Sequence, residues 1–535
     1  MPFHPLLKKS LIAPALGLGA ALVLTGAFAP DAKAEPRDEV SYLRGPQNAG
    51  GNAFFHRFND AFRYSAAFHY HHGKEHDVLA KTPYDELSKV DHEFNLSVTD
   101  FTYNEKAKTE PSMELYGPYT ARMAWNLFRA IDWTHMHHEE TYDIMASTAI
   151  PWNKKKEWTD KQVRYYLDKD PDIARSIAPL DITMRRAGVM MKPYFTLYRN
   201  YSPESNSVAW VAHWWHPAIY EAQILGGNGA GQDQMVEQTD KTMFNQFFAV
   251  RPERMLLSRE LMPRYSRMSP ETANIFDNLH MLHGIAYDIM LYKGYLPSEN
   301  KAELYRVIEA MGYQPGDEKY VRKFAEPHPD VDPRVYEPWM GTYQGEMSRI
   351  MGEMLDEMMP MMMPGISDED KARVKEQFRL KNMQGIQPGE KPGCLMDALK
   401  AVYPAMKMNP EYMKAGVPPQ MMINTMLAGW TQKYAAMPDI GGYDMSVEPK
   451  ALPVLPVEYQ RLMQSWPEVG KPQYGLLARQ ATPSVEQTTL EGVAQQLAEV
   501  NAAGGAKGAD TLGVTGVSRP QFDPKTAPMM AMATR

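Results

Sequence analysis

The chain has 535 residues, with 57 lysines and arginines against 65 aspartates and glutamates and a formal net charge of −8. That acidic balance argues against a phosphate-binding face, so no nucleic-acid partner is expected. A lone cysteine, Cys394, excludes an internal disulfide framework, a Cys-x-x-Cys-His haem attachment and cysteine-based zinc or iron–sulfur centres.

Lys8 and Lys9 precede an apolar or small run from Leu11 to Phe28, and Ala32-Lys33-Ala34 offers small residues where a signal peptidase reads them. Residues 1–34 are expected to be a signal peptide, which makes the protein periplasmic or secreted. There is no twin arginine, so the general secretory route is expected. The rest of the chain has no apolar run long enough to predict a membrane span after signal cleavage.

Residues 45–300 carry one pattern four times. His69-Tyr-His-His72 runs on to His76-Asp77, and His135-Met-His-His138 to Tyr142-Asp143. His213-Trp-Trp-His216 leads to Tyr220-Glu221, and His280-Met-Leu-His283 to Tyr287-Asp288. The shared form is H-x-x-H-x-x-x-[YH]-[DE]; composition alone would supply about 0.05 copies of its His and carboxylate positions. Asp132 and Asp277 also share an offset from the first His, as do Phe62-Arg63 and Phe128-Arg129. On a helix, residues three apart lie on one face, so each pair of imidazoles points the same way. Two imidazoles and a carboxylate make a half-site for a transition metal, with the acid as ligand or as acceptor for the other ring N–H. The candidate metal ligands are therefore His69, His72, Asp77, His135, His138, Asp143, His213, His216, Glu221, His280, His283 and Asp288. His71, His76 and His137 are not common to the four copies and read as exposed or accessory. Gly73, Pro217 and Gly284 follow the second His in three copies, which predicts a helix end or kink there.

Between the motifs the chain reads as helix. Residues 119–145 have helical spacing after a Gly-Pro break, and 269–292 open on Ser-Pro-Glu-Thr, a good helix start. Phe94 to Tyr103 is the one strand candidate, and Leu225 to Gln234 reads as a Gly-rich loop. Pro-rich connectors such as 326–338 introduce a second region, 301–480, in which Met347, Met351, Met354 and Met358 form one helical stripe. Met361 to Met363 follow Pro360; such thioethers either pack a core or bind Cu(I). Residues 452–466 read as a further helix, and 481–535 as a flexible tail.

The expected fold is mainly α: a helical bundle of four degenerate repeats followed by a smaller Met- and Pro-rich helical region. The expected function is a periplasmic metalloprotein with redox or electron-transfer activity, pictured as a metal-dependent oxidoreductase working with a periplasmic redox partner. Its cofactors would be Fe, Cu or Zn ions, or non-covalent haem held by paired histidines. The alternative is copper storage, scavenging or delivery without turnover. A third reading, a helical scaffold with structural histidines, predicts no dependence of metal content on them.

Overall fold

The computed structural model describes residues 53–102, 115–195, 197–247, 257–324, 343–383, 401–402, 427–429 and 442–449, with positions 424 and 432. The expected signal peptide, the connector 326–338, the helix at 452–466 and the tail from 481 lie outside the described residues. What is described belongs to one unit, Gly45–Arg535, and is mainly helical. Its only β feature is an isolated bridge between Arg175 and Gly312, with no strand among the described residues.

In chain order the helices are α1 (Ala53–Arg57), α2 (Asn59–Lys81), α3 (Leu87–Asp100), α4 (Pro118–Met123), α5 (Trp125–Ala146), α6 (Lys155–Lys169), α7 (Leu180–Ala187), α8 (Leu197–Tyr201) and α9 (Pro203–Gly226). There follow α10 (Ala230–Phe247), α11 (Ser258–Leu261), α12 (Pro263–Met268), α13 (Pro270–Leu291), α14 (Pro297–Ala310), α15 (Tyr343–Met362) and α16 (Asp368–Met383). Proline opens α4, α9, α12, α13 and α14, where its fixed φ suits the first turn and its missing N–H costs nothing. Ser269 caps α13 by accepting the Thr272 amide.

The four long helices α2, α5, α9 and α13 form the bundle, and each follows a short helix after a single residue. These residues are Phe58 (φ −121°, ψ 69°), Ala124 (−139°, 66°), Ser202 (−129°, 59°) and Ser269 (−138°, 80°). Each still donates its amide to the carbonyl four residues back, at 2.7–2.8 Å, so the short helix closes before the chain turns. Proline after Ser202 and Ser269 disfavours helical ψ there. Phe58 and Ala124 have no such neighbour, so packing sets their conformation.

Around this bundle, buried side chains terminate helices. Lys155 donates to the carbonyls of Ile144, Met145 and Ser147 at 2.9–3.0 Å, capping the end of α5. Asn278 of α13 donates to the carbonyls of Ser176 and Ala178 at 2.8 Å. In the Met-rich helix α15, Met354, Leu355, Met358 and Met359 are buried in the same apolar core as the bundle. Arg185, itself buried, pairs with Glu353 and Glu357 at 2.7 and 2.9 Å. The side chains of Met347 and Met351 are outside what is described. Met361 is exposed.

Three sequence expectations are corrected. Phe94 to Asp100 is helix: Phe94, Leu96 and Val98 alternate, but Leu87, Asp91, Phe94 and Val98 line one buried helical face. The Gly-rich loop shrinks to residues 227–229, with Gly227 and Gly229 at positive φ. The span from Tyr119 is two helices, broken at Ala124.

One glycine is required by close backbone approach. A Cβ on Gly117 would lie 2.3 Å from the Gly73 carbonyl oxygen and 3.0 Å from the Phe128 ring. Gly117→Ala is expected to destabilise the fold by about 2 kcal/mol or more, read as a lower midpoint in urea unfolding, because a main-chain atom cannot step aside.

Candidate metal centre

All four long helices continue through the residue after the second His. Gly73, Glu139, Pro217 and Gly284 lie inside them, so the predicted helix end is absent. Burial on all sides holds α9 together across Pro217, although proline supplies no amide to the ladder. In each helix the first motif His is the eleventh residue, the second the fourteenth and the acid the nineteenth.

This common offset brings the eight motif imidazoles together at the centre of the bundle, none more than 7% exposed. The first-position rings pair between neighbouring helices: His69 stacks on His135 with centroids 4.3 Å apart, and His213 meets His280 edge-on at 4.4 Å. The second-position rings pair the other way, His72 with His283 at 4.6 Å and His138 with His216 at 5.6 Å. Contacts at 5.9–6.4 Å link the pairs, through His135 to His138, His216 and His283, and through His280 to His216 and His283. Phe276 sits among His138, His213, His216 and His280, at 4.2–5.6 Å from each. Below the imidazoles, the third specified position of the motif forms an aromatic layer: His76 on Tyr287 at 4.5 Å and Tyr142 on Tyr220 at 4.3 Å.

The motif carboxylates do something else. Asp77 of α2 accepts the amides of Tyr119 and Thr120, at 3.0 and 2.8 Å, at the start of α4. Asp143 of α5 accepts the Phe54 amide of α1 at 2.7 Å. Glu221 of α9 accepts the amides of Arg264 and Tyr265 of α12, at 3.1 and 3.2 Å, and pairs with the Arg264 guanidinium at 2.8 Å. Asp288 of α13 accepts the Tyr198 amide of α8 at 2.8 Å. Each acid thus satisfies the exposed N–H groups of a short helix that leads into a different long helix. The exchange is reciprocal, between α2 and α5 and between α9 and α13.

His76 and His137, read from the sequence as exposed or accessory, are fully buried, as is His71. His76 occupies the aromatic position of its motif, which was the available signal. His137 packs on Tyr166 at 4.8 Å. Trp214 and Trp215 are buried, Trp215 lying 4.9 Å from His216 and donating to Asp240 at 2.8 Å. Trp133 instead packs on Tyr166.

Burial, reinforced by neighbouring rings, drives the basicity of His72, His135, His138, His216 and His283 well below the ordinary 6.5. Burial takes His280 down to about 4 and His76 and His137 to about 3. At neutral pH these rings are uncharged, and each keeps a nitrogen lone pair. His280 Nδ1 lies 2.9 Å from the Phe276 carbonyl, which accepts its N–H, and His138 Nδ1 lies 3.0 Å from the Tyr220 hydroxyl. Their Nε2 atoms have no hydrogen-bond partner; nor do His72 Nδ1, His216 Nδ1 or either nitrogen of His135 and His283. A buried polar atom left this way costs about 1–3 kcal/mol, so eight of them weigh heavily against a net stability of about 5–15 kcal/mol.

The donor chemistry suits a metal ion that favours imidazole. Two imidazoles on one ion, with N–metal distances of about 2.0–2.1 Å, have centroids about 4.5–6.4 Å apart, the range spanned here by most of the inter-helix pairs. Among the described residues, however, no three His, Cys, Asp or Glu side chains are already oriented to hold one ion. Ligation would need the rings to rotate while the helices stay in place. A cavity of about 40 Å³ borders His72, His280 and His283. It has room for about three waters, far less than a porphyrin fills.

Comparison with protein-family models, with curated proteins and with solved structures finds no match for this chain.

Two outcomes are expected. Asp77→Ala should lower stability by about 1–2 kcal/mol in denaturant titration while leaving any bound metal in place, because its oxygens serve the α4 amides. For the metal-free chain, the pH dependence follows from eight imidazoles shifted down and five carboxyls (Glu75, Asp91, Asp143, Glu221, Asp240) shifted up by burial. Below pH 6.5 the unfolded histidines take up protons that the folded ones refuse, which removes stability as pH falls. The carboxyls act oppositely, since Asp91, Asp143 and Asp240, at about 7 when folded, hold protons that the unfolded chain releases above about 4. The imidazoles outnumber them, so the urea midpoint should drop from pH 6.5 downward, and faster below pH 4 where the opposing effect ends.

Proposed function

We propose that this protein is a periplasmic metalloprotein whose four helix-borne His pairs bind transition-metal ions for redox or electron-transfer work. The carrying observation is the continuous core of neutral imidazoles from four helices, with nitrogens that lack hydrogen-bond partners. Residues 45–300 are read as four degenerate repeats, each a short helix, a single break residue and a long helix. The shared His and acid positions and the four similar break conformations support that reading. The first and second His of each pair are the ligands; the acids fix the helices that present them.

Neutral ligands in a dry core leave an ion's charge uncompensated, which favours the lower-charged state of a Cu or Fe couple and raises its potential. Bare ions suit the small cavity better than haem does. The aromatic layer of Tyr142, Tyr220 and Tyr287 gives the core polarizable neighbours. A second reading, storage or delivery of copper, draws on a different observation: eleven buried histidines among the described residues exceed what one or two ions require.

The test is metal analysis of the protein purified from a periplasm, with visible and electron paramagnetic resonance spectra on the same sample. One or two tightly held Cu or Fe ions that change oxidation state reversibly are expected. Many exchangeable copper ions would favour storage. The double variant His135→Ala/His138→Ala should lose at least half the bound metal while keeping its helical circular dichroism. Unchanged metal content in that variant would overturn both readings.

A further inference from the structure

We infer that the imidazole core admits small uncharged ligands at one end: the cavity at His72 and His283 takes a molecule of about one to three heavy atoms, while Phe276 closes the matching end at His138 and His216. The carboxylate clasps exchange α2 with α5 and α9 with α13, and the second-position rings follow the same exchange, His72–His283 answering to His138–His216. Phe276 is the seventh residue of α13, four before His280; its counterpart in α9 is Ala209, four before His213. The Phe276 ring lies 4.5 Å from His138, 5.6 Å from His216, 5.0 Å from His213 and 4.2 Å from His280. Carried through the exchange, those neighbours become His72, His283, His280 and His213. Ala209 and the first three of these line the cavity of about 40 Å³, so it lies where a second phenylalanine would pack. Protein interiors are close-packed, and here the unfilled space adjoins ring nitrogens without hydrogen-bond partners on His72, His280 and His283.

The cavity is open on one side. Its lining is buried apart from Ala209 and Gly284, which are half-buried and are the two smallest residues of the wall. Arg199 and Asp288 add one charge of each sign, so the wall favours neither anions nor cations. Water, dioxygen and carbon monoxide are of the class that fits.

The inference deepens the metal reading and in part rests on it: an ion held at His72 and His283 would carry an exchangeable ligand, and one at His138 and His216 would not. Access itself is tested without metal. Hydroxyl radicals, which are water-sized, are generated by flash photolysis around the full chain stripped with chelator, and histidine oxidation is read by tandem mass spectrometry. His280 and His283 should be oxidised at least threefold faster than His138 and His216. Ala209→Phe, or the smaller Ala209→Leu, should remove that difference, and Phe276→Leu should speed oxidation of His138 and His216; circular dichroism shows which variants are folded. Equal oxidation at the two ends of the native chain overturns the inference. So does a difference that persists in a folded Ala209 variant, or, if neither folds, a Phe276→Leu variant whose His138 and His216 react no faster. Carbon monoxide is then added to the reduced, copper-loaded protein, where an infrared C–O band is expected that Ala209→Phe or Ala209→Leu abolishes. A protein that retains copper but gives no band also overturns the inference. One that retains no copper removes the metal reading and leaves access to be decided by the oxidation pattern.

Discussion

The arrangement depends on four carboxylates that reach out of one long helix to hold the start of the short helix leading into another. An unpaired helix N-terminus presents several amides and a partial positive charge, and a buried acid satisfies both. Because Asp77 serves α4 while Asp143 serves α1, the relative height of α2 and α5 is fixed twice over. Glu221 and Asp288 do the same for α9 and α13. With the histidines at a common distance from each helix start, fixing helix height also fixes the level at which the imidazoles meet. A shift of one residue would move any ring about 100° around its helix and out of the cluster.

The same burial that gathers the rings also determines their chemistry. In water an imidazole is half protonated near 6.5; here several rings crowd together in an apolar surround, and any proton added would meet both desolvation and its neighbours' charge. The cluster is therefore a set of neutral donors. Apolar groups such as Phe276 keep water out, and the tyrosines beneath supply hydroxyls to only part of the set: Tyr220 to His138, and Tyr142 to the carbonyl of His216. Neutral lone pairs in a water-poor interior are what a coordinating cation uses, and they are poorly suited to acid–base work at pH 7.

Much of this was legible from the sequence, for a definite reason. Periodicity reports which residues share a helix face, so the common face of His69 and His72, and of each counterpart pair, could be read directly, as could the start of α13 at Ser269; how the four pairs meet could not. The purpose of Asp77, Asp143, Glu221 and Asp288 could not be read the same way, because the amides they bind lie 42 to 90 positions away and carry no side-chain signature. Gly73 and Pro217 misled, since local propensity is weak beside the packing of a helix buried on all sides. Phe94 to Val98 misled for a related reason: a short alternation fits a strand and one stripe of a helix equally well, and α9 decides between them by packing on α3. Arg199 and Tyr198 had no motif to mark them; only the three-dimensional meeting of α8, α9 and α13 makes them neighbours of the core.

The reciprocity of the carboxylate clasps has a further consequence. Two segments that each give the other what it lacks form the self-complementary contact that identical subunits make about a twofold axis. The connection between α5 and the later helices packs on both halves, through Lys155 at the end of α5 and through Ser176 and Ala178 on Asn278, but it carries none of the four clasps. Chains severed there would still carry complete clasps on each side, and the imidazole layer that spans the two halves would become the seam of a dimer.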